Sequence, residues 1–218
     1  MNEINLLDRY PKTKRAVAKR LPNKEFNREI AGRFGREYFD GHRTEGYGGY
    51  QYDGRWVPVA QRFIEHWKLK AGDRVLDVGC AKGFLVKDLI DACPGLEVFG
   101  IDVSQYAIEN GHPDVRDRLF VGDVRDIRFP DGFFHGVISI NAIHNLESQE
   151  CPRAIREIQR VSSKSAYIQV DSYRSEEERE RFLNWMLTCK THYYPAQWHE
   201  VFREAGYQGE FYFTYVDD

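Results

Sequence analysis

Asp77, Gly79 and Gly83 fall in "VLDVGCAKGFL" (75–85), where an apolar run gives way to small residues and then to helix-forming ones. A strand that ends in such a turn and continues as a helix presents backbone N–H groups to a ligand. The flanking residues narrow which ligand. A triphosphate cradle needs Lys and then Ser or Thr after the last glycine, but Lys82 precedes Gly83 and Phe84 follows it. The dinucleotide pattern G-x-G-x-x-G is also missing, since the spacing here is Gly79, Ala81, Gly83. Asp77, two residues before Gly79, would repel a pyrophosphate but can orient a cationic ligand. Asp102, nineteen residues after Gly83, stands where a carboxylate accepts both hydroxyls of a ribose. A ribose is implied and a pyrophosphate is not.

These residues must be carried by strands and helices in a set order. From residue 74 onward, short β-rich runs alternate with helix-length segments, the βαβ pattern of a parallel sheet. Strands are predicted at 74–80, 97–103, 118–123, 136–143, 165–172 and 210–216. The first five are rich in Val and Ile, with the near-continuous apolar content of strands buried on both faces. Apolar residues at helical spacing mark the helices between them: Phe84, Leu85, Leu89 and Ile90; Ile155, Ile158 and Val161; Phe182, Trp185, Met186 and Cys189. A last helix opens at Pro195, buries Trp198, Val201, Phe202 and Ala205, and stops at Gly206.

Upstream, Phe26, Ile30, Phe34 and Tyr38 recur every four residues on one predicted helix, and Val59, Phe63, Ile64 and Trp67 mark another. Between them lies "GHRTEGYGGYQYDGRW" (41–56), too rich in Gly, Tyr and Arg for regular structure and too aromatic for disorder. The chain divides accordingly into 1–56, amino-terminal helices and a Tyr/Gly/Arg-rich lid segment, and 57–218, a ligand-binding α/β domain.

With 218 residues the chain suits one core. Residues 1–36 carry ten Lys/Arg against four Asp/Glu, a local charge of +6, which leaves −9 for the remainder. A basic leader can meet nucleic acid, yet a solvated helical face is the commoner outcome. Cys80, Cys93, Cys151 and Cys189 are scattered, with neither a C-x-x-C pair nor His at ligand spacing, so no metal site or disulfide framework is expected. No apolar stretch suggests a signal peptide or a membrane span, and a cytoplasmic location is expected.

"VLDVGCAKGFL", "GIDVS" and "VGDVRDIRFPDGFFHGVISINAIHNL" together resemble the class I S-adenosylmethionine-dependent methyltransferases over about residues 55–216, in particular their small-molecule "type 11-like" branch. Ala81 stands where that family usually has the middle glycine of D-x-G-x-G-x-G. The resemblance implies a Rossmann-like, doubly wound, mostly parallel sheet of six or seven strands with helices on both faces and an amino-terminal lid. It implies that Asp77, Gly79, Cys80, Ala81 and Gly83 line the methionine portion of S-adenosyl-L-methionine. Asp102 would take the ribose and Val103 one face of the adenine, while Gly122, Asp123 and Val124 hold the adenine edge. Asn141 would stand beside the sulfonium. The product is S-adenosyl-L-homocysteine.

Methyl transfer from a sulfonium is an in-line displacement, so orientation of the acceptor and exclusion of water supply most of the catalysis. A general base matters only where the acceptor must lose a proton, and His144, three residues after Asn141, is the candidate by position. Asp171, Tyr173, His192, Tyr193 and Tyr194 reach the same rim. In similar methyltransferases the segment before the first strand covers the pocket, which makes Tyr47, Tyr50, Tyr52 and Trp56 an acceptor wall and Arg43 and Arg55 binders of an anionic group. A small, anionic or polar acceptor is expected, on a monomer or homodimer without a membrane partner. Nucleic-acid modification is disfavoured, because "INAIHN" stands where base-modifying relatives have Asn/Asp-Pro-Pro-aromatic. Protein methylation, a non-catalytic S-adenosylmethionine-binding role and, more weakly, a nicotinamide dehydrogenase are the other readings.

Overall fold

A computed structural model describes residues 1–11, Val17 and 21–216. Seven strands form one sheet: β1 (Asn2–Glu3), β2 (Arg74–Val78), β3 (Glu97–Asp102), β4 (Leu119–Val121), β5 (Phe134–Ile140), β6 (Ser162–Ser172) and β7 (Glu210–Tyr215). Their spatial order is β1-β7-β6-β5-β2-β3-β4, and every pairing is parallel. The sheet reverses direction of winding at β2, so a crevice opens outside the carboxyl ends of β2 and β5, where open α/β sheets take ligands. All six predicted strands are present, each shifted or trimmed by a few residues.

The seventh strand has another origin. Asn2 pairs with Glu210, and the Ile4 N–H donates to the Phe211 carbonyl at 2.9 Å, so the start of the chain protects the β7 edge. Leu6 follows into the core with no exposed surface.

Eight helices accompany the strands among the described residues: α1 (Lys24–Gly32), α2 (Arg36–Asp40), α3 (Val57–Trp67), α4 (Phe84–Ala92), α5 (Gln105–Glu109), α6 (Cys151–Val161), α7 (Glu176–Trp185) and α8 (Pro195–Glu204). On one face, Ile155, Ile158, Trp198 and Phe202 cover β5, β6 and β7. On the other, Phe63, Leu85 and Leu89 pack with Leu6 and Tyr167. Pro195 opens α8, where its missing N–H costs nothing.

Two expectations for helices are corrected. The Phe26–Tyr38 stripe is not one helix: the chain breaks at Phe34, which takes a left-handed φ of 49° between Gly32 and Gly35. Its carbonyl accepts from Ser104 Oγ at 2.6 Å, a tertiary bond that the periodicity could not show. Phe26 is 58 % exposed, and α1 buries Asn27 and Ala31 instead. Similarly α7 ends at Trp185, so Met186 and Cys189 lie beyond it on a segment without regular structure. Residues 41–55 form neither helix nor strand, as expected.

Candidate cofactor and acceptor site

The turn after β2 is built from left-handed residues: φ is 79° at Gly79, 50° at Ala81 and 74° at Gly83. A Cβ on Gly79 would lie 2.7 Å from the Ala142 Cβ, so glycine there lets the turn and the β5 rim close together. Ala81 occupies the same backbone region with a Cβ, at a cost of roughly 1 kcal/mol. The site pins it nonetheless: the Ala81 N–H donates to Asp102 Oδ2 at 2.8 Å, and the Ser104 N–H to Oδ1 at 2.8 Å. Asp102 thus bridges the turn and the start of α5, with lone pairs remaining on both oxygens.

Asp77 is 5 % exposed and accepts no hydrogen bond from a described residue. Burial, reinforced by the Asp102 charge, pushes its carboxyl up to about 7. Two carboxylates that destabilise one another's charge at the end of a crevice are suited to a cation with hydroxyl groups nearby. Cys80 contributes backbone only: its side chain fills the space left by Gly100, where a Cβ would meet Sγ at 2.7 Å. Burial holds its thiol protonated.

Further along the chain, Val103 is 58 % exposed beside Asp102. The Gly122 N–H donates to the Asp102 carbonyl at 2.9 Å, which sets the β4 end against β3. Asp123 is clasped by Arg125, whose Nε lies 2.9 and 3.0 Å from its two oxygens, and this bond holds its carboxyl below the usual range. Val124 packs against the core around Ile127. Asn141 is exposed with φ of 55°, a conformation asparagine tolerates, and its N–H is shared between the Gln169 carbonyl and side-chain oxygen.

His144 lies in a 3-10 turn at Ile143–Asn145 and is 1 % exposed. Its Nδ1 accepts the Asp171 N–H at 3.2 Å. The neutral ring therefore carries its proton on Nε2, which makes the imidazole a donor rather than a proton acceptor. Tyr173 is 2 % exposed; its hydroxyl donates to the His192 carbonyl at 3.0 Å and its ring packs on Phe182. Both side chains are held in structure rather than offered to the crevice.

The 41–56 segment does cover the turn. Tyr50 stacks on Phe84 with centroids 4.8 Å apart, Tyr47 lies 4.4 Å from Tyr50, and Phe39 packs on Ala81. Burial pushes the Tyr50 phenol up, with the Tyr10 phenol and the Asp77 charge adding to the effect. Arg55 reaches the Tyr10 phenol and is also paired with Asp53, at 2.8 Å from Oδ1. Arg43 spends itself on the Gly46 and Tyr47 carbonyls at 3.0 and 2.9 Å.

Sequence reasoning missed the fastening. Lys82 Nζ donates to both oxygens of Asp40 and to the Tyr50 carbonyl at 3.0 Å, while Asp40 also accepts from Tyr106 OH and the Tyr50 N–H. All three ammonium protons are used. A lysine between two turn glycines was the available signal; its partner on α2 had none.

Residues 75–165 match the sequence model of a methyltransferase domain. No curated protein matches the chain. Among solved structures, a chain of the Haloferax volcanii complex between the Trm112 methyltransferase activator and a methyltransferase is 24 % identical (TM-score 0.52; 71 % of this chain, 73 % of that one). The YcgJ protein from Bacillus subtilis is 19 % identical (TM-score 0.55; 67 % and 66 %). A SAM-dependent methyltransferase from Aquifex aeolicus is 19 % identical (TM-score 0.52; 67 % and 78 %). At these identities the structures speak for the fold. The matched methyltransferase domain spans the centre of the chain, from β2 into β6, and the solved structures share its fold. No helix among the described residues is long and apolar enough to cross a membrane.

Proposed function

We propose that this chain methylates a small, polar acceptor at a proton-bearing nucleophile. The observation that carries the reading is Asp77: a carboxylate at 5 % exposure, unpartnered among the described residues, fits the ammonium of a methionine portion. Asp102 would hold the ribose hydroxyls, Val103 one adenine face, and Gly122, Asp123 and Val124 the adenine edge. Asn141 would border the sulfonium. Bound there, S-adenosylmethionine supplies an activated methyl group and its own leaving group.

The chain's own work is then orientation. The left-handed turn and the Asp102 bridge would fix the nucleoside, and the Tyr50–Phe84 stack, with Tyr47 packed on Tyr50, would shield it from water. Orientation of this kind supplies roughly 7 to 11 kcal/mol in well-arranged reactions. Tyr47, Tyr50 and Arg55 are the acceptor wall in this account, and Tyr173 supports its rim. Because Arg43 and Arg55 already have partners, polarity rather than negative charge is the property assigned to the acceptor.

A small acceptor is favoured over nucleic acid by the leader itself. Four of its basic residues are tied locally: Arg9 to Glu65, Arg33 to Glu29, Lys24 to the Asn184 carbonyl and Arg28 to the Cys189 carbonyl. Lys12, Lys14, Arg15, Lys19 and Arg20 lie outside the described residues. The test is S-adenosylhomocysteine formation with a cell extract separated into small-molecule, RNA and protein fractions. Turnover with the small-molecule fraction supports the reading, and turnover confined to RNA or protein overturns it.

A further inference from the structure

Asp171 ends β6 at 3 % exposure, and no cationic side chain pairs with it among the described residues. Such a carboxylate is costly to bury unless its hydrogen bonds are well made or a ligand completes them. One oxygen is made fast. Thr214, its cross-strand neighbour on β7, donates its hydroxyl to Oδ1, and Gln169 Nε2 lies 3.4 Å from the same oxygen. Gln169 also donates to Thr214, and its own Oε1 accepts the Asn141 N–H at 3.0 Å. The Asp171 N–H, for its part, fixes the His144 ring. A continuous polar relay therefore joins Asn141, where the methyl donor is placed, to Asp171. Oδ2 has no donor among the described residues.

We propose that Asp171 Oδ2 is the group that receives the acceptor's proton, with Gln169 and Thr214 as positioning residues; this rests on the methyl-transfer reading above. The acceptor class is a hydroxyl or an ammonium. A hydroxyl oxygen bonds to the methyl carbon as its bond to hydrogen breaks, whereas an ammonium first gives a proton to Oδ2 and then attacks through the lone pair so freed; in either case the proton passes from Oδ2 to water. The electron pair of the broken carbon–sulfur bond stays on sulfur, so charge balances without an oxidant or reductant. His144, with its proton on Nε2, cannot take this part, whereas a carboxylate oxygen without a donor can.

The test needs no acceptor. Wild type and Asp171→Asn are titrated calorimetrically with S-adenosylhomocysteine and with sinefungin, the analogue that carries an amine where the transferred methyl would be. Asp171→Asn should bind S-adenosylhomocysteine within about twofold of wild type but sinefungin about tenfold or more weakly, the loss of one charge-assisted contact. Thr214→Val should show the same selective loss at about threefold, and Thr214→Ser should restore it. Parallel changes in both ligands would overturn the assignment of Asp171 while leaving methyl transfer intact. Failure of wild type to bind either ligand removes the methyl-transfer reading, and this assignment with it.

Discussion

Lys82 Nζ lies 2.6 Å from Asp40 Oδ2 and 2.8 Å from Oδ1, which joins the glycine turn to α2 through an ion pair shielded from water. Desolvation works against the Asp40 carboxylate, but the Lys82 and Tyr106 hydrogen bonds outweigh it and hold the group below its ordinary range. Removing one partner strands the other. Lys82→Met should therefore destabilise the protein by about 3 kcal/mol, and Asp40→Asn added to it should recover part of that loss. Urea unfolding of the two single variants and the double variant measures the coupling. Because the folded carboxyl titrates below its unfolded value of 3.8, this contribution is present above that value and fades as pH falls through the folded one.

Asp77 has the opposite sign. Its carboxyl is pushed up to about 7 by burial first and by Asp102 second, so the folded state holds a proton that the unfolded state has released. Its penalty to stability is absent below the unfolded value, grows as pH rises toward 7, and is constant above. A cationic ligand favours the ionised form. S-adenosylhomocysteine affinity should accordingly rise about tenfold between pH 6 and 8, with proton release on binding near pH 7. Titrations in buffers of different ionisation enthalpy measure both, and Asp77→Asn should abolish the pH dependence.

His144 separates two roles that position alone confuses. If its ring serves to accept the Asp171 N–H, His144→Gln keeps an acceptor there and should turn over within about threefold of wild type with the small-molecule fraction of an extract. His144→Ala leaves a buried N–H unsatisfied and should cost about 1 to 3 kcal/mol of stability. A general base would instead show a loss of about a hundredfold or more in both variants.

The start of the chain is structural. Leu6 is fully buried against Tyr167 and Phe63, just after the strand that pairs with β7. Leu6→Ala should cost about 2 to 4 kcal/mol in urea unfolding while leaving S-adenosylhomocysteine affinity unchanged.

The central strands were legible because burial on both faces writes itself as an apolar run, as in Val75–Val78 and Val137–Ile140. The places of Asp77 within β2, Asp102 at the end of β3 and Asn141 just after β5 were legible for the same reason. Asn2–Glu3 is too short to carry a period, and its two exposed residues show no burial pattern. The break at Phe34 depends on a hydroxyl seventy residues away, and the Asp40–Lys82 pair on another distant contact. Asp171 could be placed on the rim from sequence, but its tie to Thr214 required the β6–β7 register. Local pattern reports burial; which polar groups meet across elements is decided by the fold.

Asp102, whose two oxygens take the Ala81 and Ser104 N–H groups, is the residue proposed to hold the ribose. Calorimetric titration of wild type and Asp102→Ala with S-adenosylhomocysteine tests it most directly. Wild type should bind, and the variant should bind about thirtyfold or more weakly. Equal affinities, or no heat from wild type, would contradict it.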